Sequence, residues 1–197
     1  MLAEQISVLQ RSGQLDAAAN AATAVAQQHS DHPKLTWLKA ELASARGDHT
    51  AVAAIYAVML RVRPRDTGCR VRLANSLKQL DRHEEALALL ADGIALMPAA
   101  PDLLVEEILL LQHSGQSDAA SAAFDALARQ HSKHPKLPWL RAELATARGD
   151  HIAATEIYAR ILQSQPFDSR CRLRLASSLR QLHRSGEALD AWTRDWD

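Results

Sequence analysis

The side chains able to do chemistry are few, and their spacing says as much as their number. Nine histidines are present, and two pairs, His29-x-x-His32 and His131-x-x-His134, bring imidazoles near one another. Each pair runs straight into a proline, and neither is completed by a cysteine or an acidic cluster, so the three or four ligands of a zinc site are not assembled. A histidine at a helix C-terminus is favoured by the helix dipole, which is the simpler reading. Cys69 and Cys171 are the only cysteines. They form neither a C-x-x-C motif nor a disulfide framework. Arg70 and Arg72 follow the first, and Arg172 and Arg174 follow the second. Such neighbours would lower a thiol pKa if the thiol were exposed, against the competing reading of a small residue packed at a junction. There is no G-x-S-x-G, phosphate loop or H-E-x-x-H. The expectation is a chain that is not an enzyme, with no catalytic residue, no metal and no cofactor.

The bulk composition narrows the partners. Lys plus Arg and Asp plus Glu each number 23, so the 197-residue chain is formally neutral. A surface that tracks phosphates leaves a basic excess, so nucleic acid is not expected. Apolar residues make up 47% and aromatics only 4%. Ala and Leu carry most of that share, and both favour helix. The start, Met1-Leu2-Ala3-Glu4-Gln5, lacks the basic and apolar regions of a signal peptide. No apolar run approaches the ~18 residues of a membrane span. The expected compartment is the cytoplasm, with the periplasm left open for a fragment of a larger protein. The Ala-, Arg- and Leu-rich composition suits a GC-rich bacterial gene.

Those side chains sit on a repeat. Residues 10–90 align without a gap on 112–192, an offset of 102, with 48 identities in 81 positions. The offset is three times 34, and the shorter period is visible. Gly13, Gly47, Gly115 and Gly149 share one phase, which Asp81 and His183 occupy in the other two units. Five residues on stand Ala18, Val52, Ala86, Ala120, Ala154 and Ala188. Four further on stand Ala22, Tyr56, Leu90, Phe124, Tyr158 and Trp192. Within a unit, Leu73, Ala74, Leu77 and Leu80 make one helical apolar face, and Ala86, Leu87, Leu90 and Ile94 make a second. Glycine between them tolerates a left-handed C-cap. The small residue lets two helices approach, and the larger one fills the wider gap. A hairpin of this kind cannot bury its apolar face alone and must stack on neighbours.

Leu73, Ala74, Leu77, Ala86 and Pro98 in one unit, and Ala142, Gly149, Ala154, Tyr158 and Pro166 in another, resemble the tetratricopeptide repeat family, and the resemblance covers essentially the whole chain. It implies an all-α, right-handed solenoid of about six helix-turn-helix repeats, at 1–32, 33–66, 67–100, 101–134, 135–168 and 169–197. These form one superhelix, with homologous halves at 10–90 and 112–192. Two departures stand out. The family's early Trp comes one place late, as Trp37 and Trp139. Ser30 and Ser132 replace an expected Pro, with Pro33 and Pro135 three residues on, so the turn there should differ.

The resemblance further implies a protein-interaction scaffold, with ligand contacts made by the first helix of each repeat on a concave face. Carried over by position, these are Lys34, Trp37 and Glu41; Arg72, Asn75 and Lys78; Glu106; Lys136, Trp139 and Glu143; and Arg170, Arg174 and Arg180. Arg suits carboxylates and Trp is a common anchor; the alternative is a solvated face with Trp packed between helices. The expected occupant is an extended peptide or a partner helix. The Lys/Asn carboxylate clamp of some family members is incomplete, because Val105 and Leu109 hold two of its positions. Lys34/Lys136, Trp37/Trp139, Glu41/Glu143 and Arg72/Arg174 are matched between the halves. That suits either a bivalent ligand or a recent duplication. Trp192 and Trp196 lie four apart at the C-terminal end, where no capping helix follows, and self-association there to a homodimer is expected. The alternative function is a non-catalytic module of a larger bacterial enzyme such as a glycosyl- or sulfo-transferase.

Overall fold

The computed structural model describes residues 33–193. The first repeat, with His29 and His32, and Trp196 at the far end lie outside the described residues. So do the side chains of Lys34 and Trp192. The described residues form helices and turns, with no strand among them, and they fall into two compact units that meet between Pro98 and Ala99. The first unit holds α1 (Pro33–Ala45), α2 (His49–Val62), α3 (Thr67–Gln79) and α4 (His83–Leu96). The second holds α5 (Pro101–His113), α6 (Ser117–Gln130), α7 (Leu137–Ala147), α8 (His151–Ser164), α9 (Ser169–Gln181) and α10 (Ser185–Thr193). Within each unit every helix packs on its neighbour in the chain, and α5 also reaches α7.

The turn inside each hairpin is set by one residue with positive φ. Gly47, Gly115 and Gly149 have φ of +71°, +73° and +77°. Asp81 and His183, at the same phase, adopt +57° and +58° without being glycine. All five close the same C-cap. The N–H of Asp48 donates to the Ala43 carbonyl at 2.9 Å and that of Gly47 to Ser44 at 3.0 Å. The pairs from Arg82 and Asp81, Gln116 and Gly115, Asp150 and Gly149, and Arg184 and His183 repeat it. This crossed pair satisfies carbonyls that the helix end leaves open.

The following helix then needs its own N-terminal donors satisfied. Asp48 and Asp150 accept from Ala51 and Ala153 N–H at 2.9 and 3.0 Å, capping α2 and α8. Asp66 and Asp168 cap α3 and α9 in the same way, through Cys69 and Cys171 N–H, both at 2.9 Å. The Cys171 amide holds the Asp168 carboxyl below its ordinary pKa, against a small opposing effect of burial. Where Arg82 and Arg184 replace the capping Asp, each guanidinium instead grips the Glu three residues on, Glu85 and Glu187, through two N–H groups.

Among the described residues the two predicted core columns are buried, except that Ala188 is half-buried. Ala86, Ala120 and Ala154 are fully enclosed, Val52 nearly so, and Tyr56, Leu90, Phe124 and Tyr158 fill the column beside them. In the second unit, Ala142, Ala154, Tyr158, Cys171, Leu175 and Leu179 make one cluster, with Trp139, Ile157 and Ala188 packed around it.

The anticipated irregular turn appears before α7. α1 begins at Pro33, but its counterpart α7 begins at Leu137, two residues past the matching Pro135. The sequence difference is Thr36 against Pro138. A helix begun at Pro135 would need the amide hydrogen that Pro138 lacks. The start therefore moves until Pro138 falls in the first turn, where proline costs nothing.

The open space around the turn glycines isolates the backbone effect, because an added Cβ at Gly149 meets nothing within 4 Å. Gly149→Ala should lose about 1–2 kcal/mol, the cost of a left-handed residue with a Cβ. His183→Gly should move stability the other way. Chemical denaturation of the two variants beside the parent chain checks both signs.

Candidate functional site

The first helices of the hairpins carry most of the polar residues picked out by position. In the first unit, α1 supplies Trp37 and Glu41, and α3 supplies Arg72, Asn75 and Lys78. Arg72 Nη1 donates to Glu41 Oε1 at 2.7 Å, tying α3 to α1 across the intervening α2. The second unit repeats this, with Arg174 Nε of α9 at 2.9 Å from Glu143 Oε1 of α7. In both, the second helix provides a tyrosine. Tyr158 donates its O–H to Glu143 Oε1 at 2.7 Å, and burial followed by that bond raises its pKa. Tyr56 lies beneath Arg72, whose guanidinium carbon is 6.0 Å from the ring centroid. Glu143 is thus nearly enclosed, at 12% exposure, while Arg72 and Arg174 stay about half exposed at 51% and 44%. The matched pairs act first as clasps between successive first helices, and they leave a cation showing at each.

The tryptophans part company. Trp37 is 45% exposed and lines an open slot of about 370 Å³ with Tyr56, Met59, Gly68 and Arg72. Trp139 is only partly exposed, and the Arg170 guanidinium carbon sits 4.2 Å from its ring centroid. The difference is one residue, since Arg170 aligns on Gly68, which has no side chain to lay over Trp37. Repeat position selected both tryptophans, but it did not foresee that the chain covers one with its own cation. A comparison of the two halves residue by residue carried that signal.

The remaining candidates are scattered. Arg180 is exposed, lining a separate groove with Leu173, Arg174 and Leu189 of the last hairpin. Lys136 is exposed but falls just ahead of α7 rather than on it. Asn75, Lys78 and Glu106 are half-buried, and Val105 beside Glu106 is fully buried. Arg70, first noted only as a neighbour of Cys69, is 4% exposed and donates to the Leu89 and Pro64 carbonyls at 2.8 and 2.9 Å. It pins the end of α2 to α4.

The arginines do not activate the thiols. Cys69 and Cys171 are buried and unpaired. Burial, reinforced by the capping Asp66 and Asp168, pushes them up to about 11 and about 12, outweighing the nearby cations. They are packing residues at hairpin junctions. Among the described residues no group of three His, Cys, Asp or Glu is placed to hold a metal. His131 ends α6, and His134 Nδ1 accepts the Lys136 N–H at 3.3 Å. No described helix is long and apolar enough to cross a membrane.

The tetratricopeptide repeat family model matches residues 4–68 and 105–169, more than half of the sequence. The chain belongs to the tetratricopeptide repeat family. Its fold is that family's all-α solenoid class, and the family's coarse role is to bind other proteins. Among solved structures, it is similar to a tetratricopeptide repeat protein from Parabacteroides merdae, at 17% identity and a TM-score of 0.74, covering 99% of this chain and 77% of that one. It is similar also to TTC0263, a thermophilic tetratricopeptide repeat protein of Thermus thermophilus, at 22% identity and a TM-score of 0.70, covering 90% and 97%. PilW, a type IV pilus biogenesis factor, superposes at 14% identity and a TM-score of 0.73, covering 99% and 92%. At these identities the likeness is one of fold. No curated protein matches the sequence.

The thiol assignment has a direct consequence. In the native protein at pH 8, neither cysteine should react quickly with a chromogenic disulfide such as Ellman's reagent, and both should react on unfolding. A fast native thiol would contradict the burial.

Proposed function

We propose that this tetratricopeptide repeat protein is a non-catalytic scaffold that holds an extended peptide or partner helix against the first helices of its repeats. One observation carries the reading. The Glu41–Arg72 and Glu143–Arg174 clasps join successive first helices and leave a half-exposed guanidinium on each, and in the first unit that guanidinium borders the exposed Trp37. Each cation is held in place by its carboxylate, so little side-chain freedom is left to lose when it meets a partner. Ordering a long side chain otherwise costs about 0.5–1.5 kcal/mol. Trp37, Tyr56 and Met59 offer the apolar part of an anchor pocket and Arg72 its polar edge, the pairing that dominates binding at interfaces.

The two units are not equal binders in this reading. Arg170 occupies the Trp139 face that Gly68 leaves open over Trp37, so the first unit is the principal anchor. Affinity capture from a lysate with the parent chain and with Arg72→Glu/Arg174→Glu tests this. The charge reversals should remove the specific partners while leaving the helical circular dichroism unchanged. An unaltered partner set would place binding elsewhere.

Self-association through the C-terminal hairpin is the second part of the proposal. The exposed Leu173 and Leu189 line the groove between α9 and α10 on that hairpin, alongside Arg174 and Arg180, and Trp192 and Trp196 follow in sequence. Sedimentation equilibrium should show a concentration-dependent dimer that Leu189→Glu converts to monomer. A monomer at the highest concentrations for the parent chain would end the idea.

A further inference from the structure

The two halves also differ in charge around a cavity of the second unit. In the second unit, the turn before α7, the start of α7 and the outer part of α8 enclose an open cavity of about 520 Å³. Lys133, Arg141 and Arg160 line it, and no Asp or Glu is among its lining residues. Leu137, Ile157 and Ile161 form its apolar wall. His134 also lines it, with its Nδ1 turned to the Lys136 N–H. Arg141 is steadied by the Phe124 ring, 5.7 Å from its guanidinium carbon. The positive end of the α7 dipole points the same way in sign.

The matching positions of the first half carry a different set. By sequence, Asp31 stands for Lys133, Lys39 for Arg141, Val58 for Arg160 and Val62 for Ser164, while Leu35, Ile55 and Met59 stand for Leu137, Ile157 and Ile161. Val58 and Val62 are exposed. The aliphatic positions are therefore shared in sequence, while the first half sets Asp31 against Lys39 and only the second has three cations with no acidic residue at these positions. None of the cavity's lining residues is among those on the first-helix face discussed above, so this is a separate place on the molecule.

We propose that this cavity binds an acidic, aliphatic segment of a partner polypeptide, with a carboxylate held between Arg141, Arg160 and Lys133 and a Leu- or Ile-like side chain against Leu137, Ile157 and Ile161. Three cations around one apolar-walled hollow, with no anion among its lining groups, repel one another, and a bound carboxylate relieves that repulsion. Guanidinium groups meet carboxylates in a two-point fork. The volume lies within the range of about 300–1,000 Å³ usual for ligand sites. A bare inorganic anion would leave the aliphatic wall wet. A lipid tail would need an apolar channel far longer than three side chains.

Fluorescence anisotropy with the full chain and a labelled peptide of alternating Glu and Leu tests the assignment. Binding should weaken at least tenfold in Lys133→Asp/Arg160→Val, which installs the residues of the other half and so disturbs folding least. It should also be lost when Gln replaces Glu in the peptide. Arg72→Glu serves to separate the two sites, and it should leave this affinity unchanged. Four outcomes would overturn the proposal. They are undiminished binding by the double variant, equal binding of the Gln peptide, loss of binding in Arg72→Glu alone, and association with anionic phospholipid vesicles in preference to the peptide. The third of these would still leave the first-helix scaffold standing.

Discussion

None of the described helices can bury its own apolar stripe. α2, α4, α6 and α8 are each 14 residues long, close to the length at which an isolated helix is marginal in water. Within the units, α2, α6 and α8 are each packed between the first helix of their own hairpin and the first helix of the next, and α4 packs on α3. The enclosed alanine and the large side chain four residues on are the contact that makes this work. Ala154 brings two backbones close, and Tyr158 fills what remains. Everything polar, including the Glu–Arg clasps and the candidate binding cations, is placed by that contact.

The duplication shows which parts of this arrangement tolerate change. Cores, clasps, Asp caps and turn geometry persist in both halves. Divergence reaches both the surface and single core positions, as in Val52 against Ala154, and a few of the changes alter what the surface presents. Gly68 against Arg170 decides whether a tryptophan is open or covered. Thr36 against Pro138 moves a helix start by two residues. Val58 against Arg160 turns an exposed apolar position into a cation. A scaffold built this way can carry two nearly identical frames and still present two different surfaces, which argues against reading the repeated residues as two equal sites.

The same logic disposes of the chemistry first suggested by residue type. Cysteines beside arginines leave two readings in one dimension, an activated thiol or a small residue packed at a junction. In three, Cys69 and Cys171 lie behind their capping aspartates and are enclosed by neighbouring helices, so burial and the carboxylates raise their pKa. Arg70, one of those arginines, is turned away to join the turn after α2 to the middle of α4.

The sequence by itself determined the repeat, its phase and the hairpin within it. A 34-residue period printed in glycine, small-residue and aromatic columns is a statement about backbone geometry and volume, and those are local or nearest-neighbour demands. It placed Asp81 and His183 at the glycine phase, and the structure added that the turn imposes the same left-handed φ on them. It also anticipated the altered turn beside Pro135, though not the shift of the helix start. Tertiary structure alone decided which of the repeated polar residues are spent on each other. That Glu41 takes Arg72, that Arg170 covers Trp139 and that Lys133, Arg141 and Arg160 meet around one hollow depend on side chains from different helices pointing into a shared volume. Periodicity fixes the face a residue occupies, but the partner it meets there is set by the neighbouring helix.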